Sequence, residues 1–156
     1  MFYALLVLIV GVITALDQIT KALVVANIPI GGYVEAIPGL FHLTHIHNTG
    51  AAFSILTGQR TFFLIITALF LLIVVFCAVK QILPKPYLLI LTVITGGAIG
   101  NLIDRLFYGY VVDMIAVDFM NFAIFNVADI FVTCGAIVLV IYTLFFDREP
   151  KKEAEA

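Results

Sequence analysis

GGAIGNLIDRLFYGYVVDMIAVDFMNFAIFNVAD, residues 96–129, holds the choice between a four-span and a five-span membrane protein. Its middle, Leu106 to Phe125, is nearly as apolar as a membrane helix. As a fifth span, however, it would sink Asp113 and Asp118 into lipid, where an aspartate at a helix centre costs about 2.5–3.5 kcal/mol. It would also leave no turn after Arg105 and send the cationic C-terminus outward, against the bias that keeps Lys and Arg on the cytoplasmic side. The stretch, interrupted by Gly109, is instead expected along the outer membrane interface as loop plus a short strand or helix. The runs on either side, Leu88 to Phe107 and Val127 to Phe146, then become the third and fourth spans.

Two further runs lie upstream, Tyr3 to Ala26 and Thr61 to Val79. Each is close to the roughly 20 residues that a helix needs to cross a hydrocarbon layer of about 30 Å. Composition agrees: a chain of 156 residues that is 63% hydrophobic and 12% charged, with mean hydropathy +1.19, cannot make a water-facing surface. The expected fold class is an all-α integral membrane protein with four transmembrane helices (3–26, 61–79, 88–107 and 127–146). A small extracytoplasmic β-rich loop and an interfacial segment between helices 3 and 4 complete a single domain over residues 1–156. The first span resembles a secretory signal peptide only in hydropathy. It lacks a cationic n-region and carries Asp17 and Lys21 where a cleavage site would fall, so it is expected to be retained. A formal net charge of −2 supplies no basic stripe for nucleic acid, which leaves membrane lipids and membrane-borne substrates as partners. Cys77 and Cys134 each sit inside an apolar run without metal-ligand spacing, and are expected to be free, buried thiols.

Orientation follows from the cations. Lys80 and Lys85 occupy the link between spans two and three, and Arg148, Lys151 and Lys152 follow span four, which puts both termini in the cytoplasm. The outer loop, 27–60, and the segment after Asp104 then lie outside, and 147–156 forms a charged cytoplasmic tail of disordered composition. Gly31-Gly32 and Pro38-Gly39 mark turns in the outer loop around segments rich in β-branched and aromatic residues, so a small sheet resting on the membrane is expected. Strand alternation through Phe41 to Ile46 puts Phe41, Leu43 and His45 on one face and His42, Thr44 and Ile46 on the other. His45 and His47 share a face and could form part of a metal site. No carboxylate or Cys spacing completes a ligand set, so His42, His45 and His47 read as polar groups at a wet interface, and no metal or cofactor is expected.

The polar residues fall into register once the spans are set. Gly97, Asn101 and Asp104 share one face of the third span, with Gly96 and Gly100 as a small-xxx-small pair beside it, so this face packs against protein. Asn101 and Asp104 then serve either as interhelical glue or as site residues, with Arg105 pairing Asp104 or snorkelling to the interface. Asn126 reads as the N-cap of the fourth span and Asp129 as its third residue, the pattern of a capping box. Asp17 and Lys21, four apart on the first helix, can form a local ion pair.

A second reading of Asp129 comes from Asp113, sixteen positions earlier and on the same side of the membrane. Two carboxylates at about 3 Å cannot both ionise; they share a proton, one acting as base toward water while the other polarises a carbonyl. This is aspartyl peptidase chemistry. Neither a G-x-S-x-G nor an H-E-x-x-H word is present to suggest another hydrolytic apparatus.

Five polar words in order carry a resemblance: Asp17-Gln18-x-x-Lys21, Asn48-x-Gly50-Ala51-Ala52-Phe53, Gly96-Gly97-Ala98-Ile99-Gly100-Asn101-Leu102-Ile103-Asp104-Arg105, Val111-Val112-Asp113 and Phe125-Asn126-Val127-Ala128-Asp129. Each is weak alone; together, spread over all four spans, they resemble the lipoprotein signal peptidases, the type II signal peptidases of bacteria. The resemblance implies that Asp113 and Asp129 are the catalytic pair. It also implies that Asn48, Gly50, Ala51, Asn101, Asp104, Arg105 and Asn126 shape the site, with Asp17 and Lys21 in support. The implied substrate is a prolipoprotein, cut just before a cysteine carrying diacylglycerol. The outer loop is implied to form a β-cradle, globomycin to block the site, and the enzyme to work as a monomer in the bacterial cytoplasmic membrane, near its outer leaflet. Met114 departs from the Phe that many members have there, one large apolar residue for another.

The main alternative is a small proton-coupled transporter or channel, which would also place Asp, Asn and Arg between helices. Such proteins usually show repeats or broken helices at mid-membrane, and neither is visible. An intramembrane protease of the presenilin sort would need a Gly-x-Gly-Asp word, where Gly-x-x-Gly-Asn stands in span three; a purely structural membrane scaffold is a further alternative.

Overall fold

A computed structural model describes residues 1–51, 53 and 55–146 of the chain. Four long helices dominate it: α1 (Phe2–Asn27), α2 (Arg60–Val79), α3 (Lys85–Phe107) and α4 (Val127–Phe145). All four are long and apolar enough to cross a membrane. Three strands, β1 (Tyr33–Ile37), β2 (Phe41–Asn48) and β3 (Val111–Val117), form one antiparallel sheet in the order β1-β2-β3. The segment that competed for a fifth span is therefore strand and turn.

The helix ends follow local chemistry more closely than hydropathy does. α3 begins at Lys85 rather than 88, because Pro84 stands at its N-cap and Pro86 in its first turn, where a missing N–H costs nothing. α4 begins after Asn126, whose side chain accepts from the Asp129 backbone N–H while the Asp129 carboxylate accepts from the Asn126 backbone N–H, the expected capping box.

α3 is the hub, and its glycines set the distances. A Cβ on Gly96 would lie 2.7 Å from Ile13 Cβ of α1; one on Gly97 would lie 2.5 Å from the Ala128 carbonyl oxygen of α4. Such contact is how helices associate where lipid removes any hydrophobic drive between them. Thr14 adds a hydrogen bond of 3.0 Å to the Gly96 carbonyl. α2 packs on α3 and buries none of its residues, so its apolar surface is left uncovered by the rest of the described chain.

The sheet rests on the end of α1. Val24 and Ile28 form a small core with Val112 and Met114, flanked by Leu43, Tyr110 and Ile115. The β2–β3 register sets Ile46 opposite Asp113 and Asn48 opposite Val111. Phe125 extends the far side by exchanging hydrogen bonds with Ile115. The segment between α3 and α4, expected as loop plus a short strand or helix, supplies the strand β3, which pairs with β2 of the outer loop. Both cysteines are free. Both were expected to be buried, but Cys77 is only half-buried and Cys134 is exposed, lining the cavity described below. The charged tail, 147–156, and Ala52 lie outside the described residues.

Candidate active site

Asp113 reaches the site on β3 and Asp129 on the first turn of α4. Asp113 is 3% exposed. Its two carboxylate oxygens accept hydrogen bonds from Asn126 Nδ2 at 2.7 Å and Asn48 Nδ2 at 2.8 Å. Asp129 accepts from Asn101 Nδ2 at 2.8 Å and from the Asn126 backbone N–H at 3.2 Å. Asn126 thus touches both carboxylates, and its amide also donates to Asn101 Oδ1 at 3.1 Å. Three asparagine amides, which carry no charge of their own, fix the direction of both acids.

Behind the asparagines lies an ionic layer closed to water. Lys21 bonds Asp17 at 2.8 Å, Asp104 at 2.9 Å and Asn101 Oδ1 at 3.0 Å. Gln18 Nε2 ties the same group together, at 2.9 Å from Asp104 Oδ1 and 3.1 Å from the Gly100 carbonyl. Each of the two aspartates also accepts one backbone hydrogen bond: Asp104 from the Val112 N–H at 3.1 Å and Asp17 from the Ala128 N–H at 2.9 Å. Each supporting carboxylate therefore grips the peptide N–H one residue before a member of the Asp113/Asp129 pair. Among the described residues no buried side-chain polar atom lacks a partner, the condition on which such a network rigidifies rather than destabilises.

The expectation of an Asp104–Arg105 pair is not met. Adjacent residues on a helix point apart, so Asp104 turns inward to Lys21 while Arg105 turns to the site. Arg105 donates to the Gly50 carbonyl at 3.0 Å and lies over the Phe63 ring at 4.6 Å. The Asp17–Lys21 pair is present as expected, although buried and shared with Asp104.

Asp113 and Asp129 line one cavity of about 420 Å³, together with Asn48, Gly50, Ala51, Asn101 and Arg105. Its other wall is apolar, with Phe53, Phe122, Phe125 and Ile130. Phe53 and Phe122 meet edge to face with ring centroids 6.0 Å apart. Burial pushes the Asp113 carboxyl up to about 6; the Asn48 hydrogen bond opposes this, and the nearby Asp129 charge adds to it. A pair of this kind can hold a proton on one member while the other stays ionised.

Every site residue named from the sequence therefore falls either on the cavity or in the two layers behind it. Sequence reasoning overlooked Arg60, whose guanidinium forks onto the Arg105 and Leu106 carbonyls at 2.7 and 2.8 Å. Its only signal was a lone cation at the start of a span. Thr133 also lines the cavity, and its spacing of four from Asp129 was a usable clue.

Residues 9–145 match the family described as signal peptidase II. Among similar proteins are the lipoprotein signal peptidase of Enterococcus faecalis, 44% identical over 149 residues (95% of this chain, 92% of that one). That of Streptococcus thermophilus is 49% identical over 127 residues (81% and 83%). A solved bacterial membrane enzyme superposes with a TM-score of 0.85 at 36% identity, covering 98% of this chain and 94% of its own.

Proposed function

The chain belongs to the signal peptidase II family, and on that footing we propose that Asp113 and Asp129 are its catalytic dyad. The enzyme is an aspartic-type peptidase that removes the signal peptides of lipoproteins; nothing favours the transporter or channel alternative. The observation that carries the assignment of the dyad is the convergence of two carboxylates, from separate elements, on one cavity and one bridging asparagine.

In the proposed reaction the dyad holds one proton and one charge. The ionised carboxylate takes a proton from a water lying between the pair as its oxygen attacks the scissile carbonyl carbon; the protonated one hydrogen-bonds the carbonyl oxygen. The proton then passes to the leaving nitrogen as the C–N bond breaks. Asn48, Asn101 and Asn126 hold the carboxylates in place without neutralising them. Arg105 fixes the Gly50–Ala51 edge of the cavity, along which the substrate backbone runs. Asp17, Asp104 and Lys21 support the dyad through Val112, Ala128 and Asn101.

The substrate is a prolipoprotein cut before its diacylglyceryl cysteine. The apolar wall around Phe53, Phe122 and Ile130 suits acyl chains, and the uncovered faces of α2 and α4 suit a signal helix. The protein acts as a monomer of one domain in the bacterial cytoplasmic membrane among its lipids. Lys80 and Lys85 lie at the end of the bundle away from the sheet, which supports cytoplasmic termini and a site near the outer leaflet. No metal or other cofactor takes part.

The deciding experiment is cleavage of a diacylglyceryl prolipoprotein by purified Asp113→Asn and Asp129→Asn proteins, with the parent enzyme assayed with and without a chelator. Both variants should be folded and inactive, and the parent indifferent to the chelator. Normal cleavage by either variant defeats the assignment.

A further inference from the structure

The catalytic assembly makes no use of the two histidines that share a face of β2. His45 and His47 approach each other with their Nε2 atoms 3.1 Å apart. His45 is 4% exposed, and its Nδ1 donates to the Ile28 carbonyl at 2.8 Å. Its tautomer is thereby fixed, with the Nε2 lone pair aimed at His47. The His47 ring is held in turn by stacking on Tyr110, centroids 3.7 Å apart. His42 is not part of this pair; it is committed to Asp118 at 2.6 Å.

We propose that His45 and His47 form a bidentate site for a borderline divalent transition metal, such as Cu²⁺, Ni²⁺ or Zn²⁺, that shares no ligand with the peptidase centre, although His47 lines a cavity with Asn48 and Asp113. Metal–imidazole bonds of about 2.0–2.1 Å and a separation of 3.1 Å give an N–metal–N angle of about 100°, which tetrahedral and square-planar ions both accept. A ligand histidine normally donates its other ring N–H to a carbonyl or carboxylate, and His45 already does. Imidazole selects this class of ion over Mg²⁺ or Ca²⁺. Among the described residues no group of three His, Cys, Asp or Glu gathers here or elsewhere, so water fills the other coordination positions. Without metal the two nitrogens share one proton, His47 Nε2–H donating to His45 Nε2. The metal displaces that proton to solvent, and His47 takes one up on Nδ1, so no net charge is moved from the ring pair.

The test uses the full chain without a histidine tag, in detergent, with one equivalent of Cu²⁺ followed by electron paramagnetic resonance. The expected spectrum shows coupling to two imidazole nitrogens. His47→Phe keeps an aromatic ring against Tyr110 but removes the chelate. It should lower Cu²⁺ affinity on the order of 10²-fold and abolish the two-nitrogen pattern, while retained prolipoprotein cleavage reports that the variant is folded. His45→Gln should behave alike, and His42→Asn should bind as the parent does. One nitrogen or none in the parent spectrum, or equal affinity in His47→Phe, overturns the site. Neither result bears on the dyad, whose variants are scored by cleavage.

Discussion

Replacing Lys21 by Met removes the one cation that stands between Asp17 and Asp104. The substitution nearly conserves volume, so its effect is electrostatic. Lys21 is 3% exposed, Asp17 0% and Asp104 1%, and the ammonium lies 2.8 and 2.9 Å from the two carboxylates. Breaking a buried ion pair from one side costs about 3–5 kcal/mol, because the remaining charge is left without compensation. Here two carboxylates lose the same partner, and each keeps Gln18 and one backbone N–H, so the upper part of that range is expected. The cost should be recovered in part by neutralising a carboxylate. Asp104→Asn in the Lys21→Met background should cost about 1–3 kcal/mol less than it does in the parent, as coupled neighbours do. Unfolding in mixed micelles, followed by circular dichroism, measures all four corners of this cycle. A Lys21→Met protein within 1 kcal/mol of the parent, by the coupling scale above, or strict additivity in the double variant, would refute the keystone role of Lys21.

Asp113→Asn and Asp129→Asn should each lower kcat by about 10²–10⁴-fold or more, with far-UV dichroism unchanged, as read by gel shift of a lipidated prolipoprotein. Asp104→Asn should lose thermal stability at least as much as turnover; a stable but inactive variant would place it in the chemistry instead. The pH profile of kcat/KM should fall on its alkaline side as the dyad loses its proton, with an apparent midpoint near the value of about 6 for Asp113. Asn48→Ala, which removes a bond favouring the ionised form, should move that limb upward. The same shift has a sign for folding: a carboxyl raised from 3.8 to about 6 binds its proton more tightly in the folded chain. Its contribution to stability is thus present below 3.8 and lost as pH rises to about 6, which acid titration of the unfolding midpoint can check. Gly97→Ala should cost about 1–3 kcal/mol by overpacking and lower turnover as well, because a Cβ 2.5 Å from the Ala128 carbonyl must displace the helix that bears Asp129; thermal unfolding and cleavage at low temperature separate the two effects.

The spans were legible in the sequence because a chain in hydrocarbon must satisfy its backbone within each segment, so hydropathy reports the helices directly. The capping box of α4 was legible for a related reason, all its bonds lying within four residues. Partnerships across the bundle were not. Which cation meets Asp104 depends on the rotation of α1 against α3, and chain proximity pointed to Arg105 when Lys21, more than eighty residues away, was the partner. The pairing of β3 was hidden too: a short strand or helix was expected there, but no local pattern states that it joins β2 with Ile46 facing Asp113. Asp113 and Asp129 could be suspected of meeting because both are acids in a place that discourages them. Arg60 raised no suspicion, since a cation at a helix end needs no special explanation.

The hydrogen bond from the Ala128 N–H to Asp17 joins positions 111 residues apart, and so has a bearing on how the enzyme comes into being at the ribosome. Asp17, Lys21 and Asp104 can assemble as soon as α3 has entered the membrane, but the acceptor on α1 waits for a donor that is synthesised only with the last helix. A nascent chain halted before residue 127 would carry the ionic layer and one acid of the pair, yet no hydrolytic capacity. On the proposed assignment of Asp113 and Asp129, proteolysis therefore waits for the last helix.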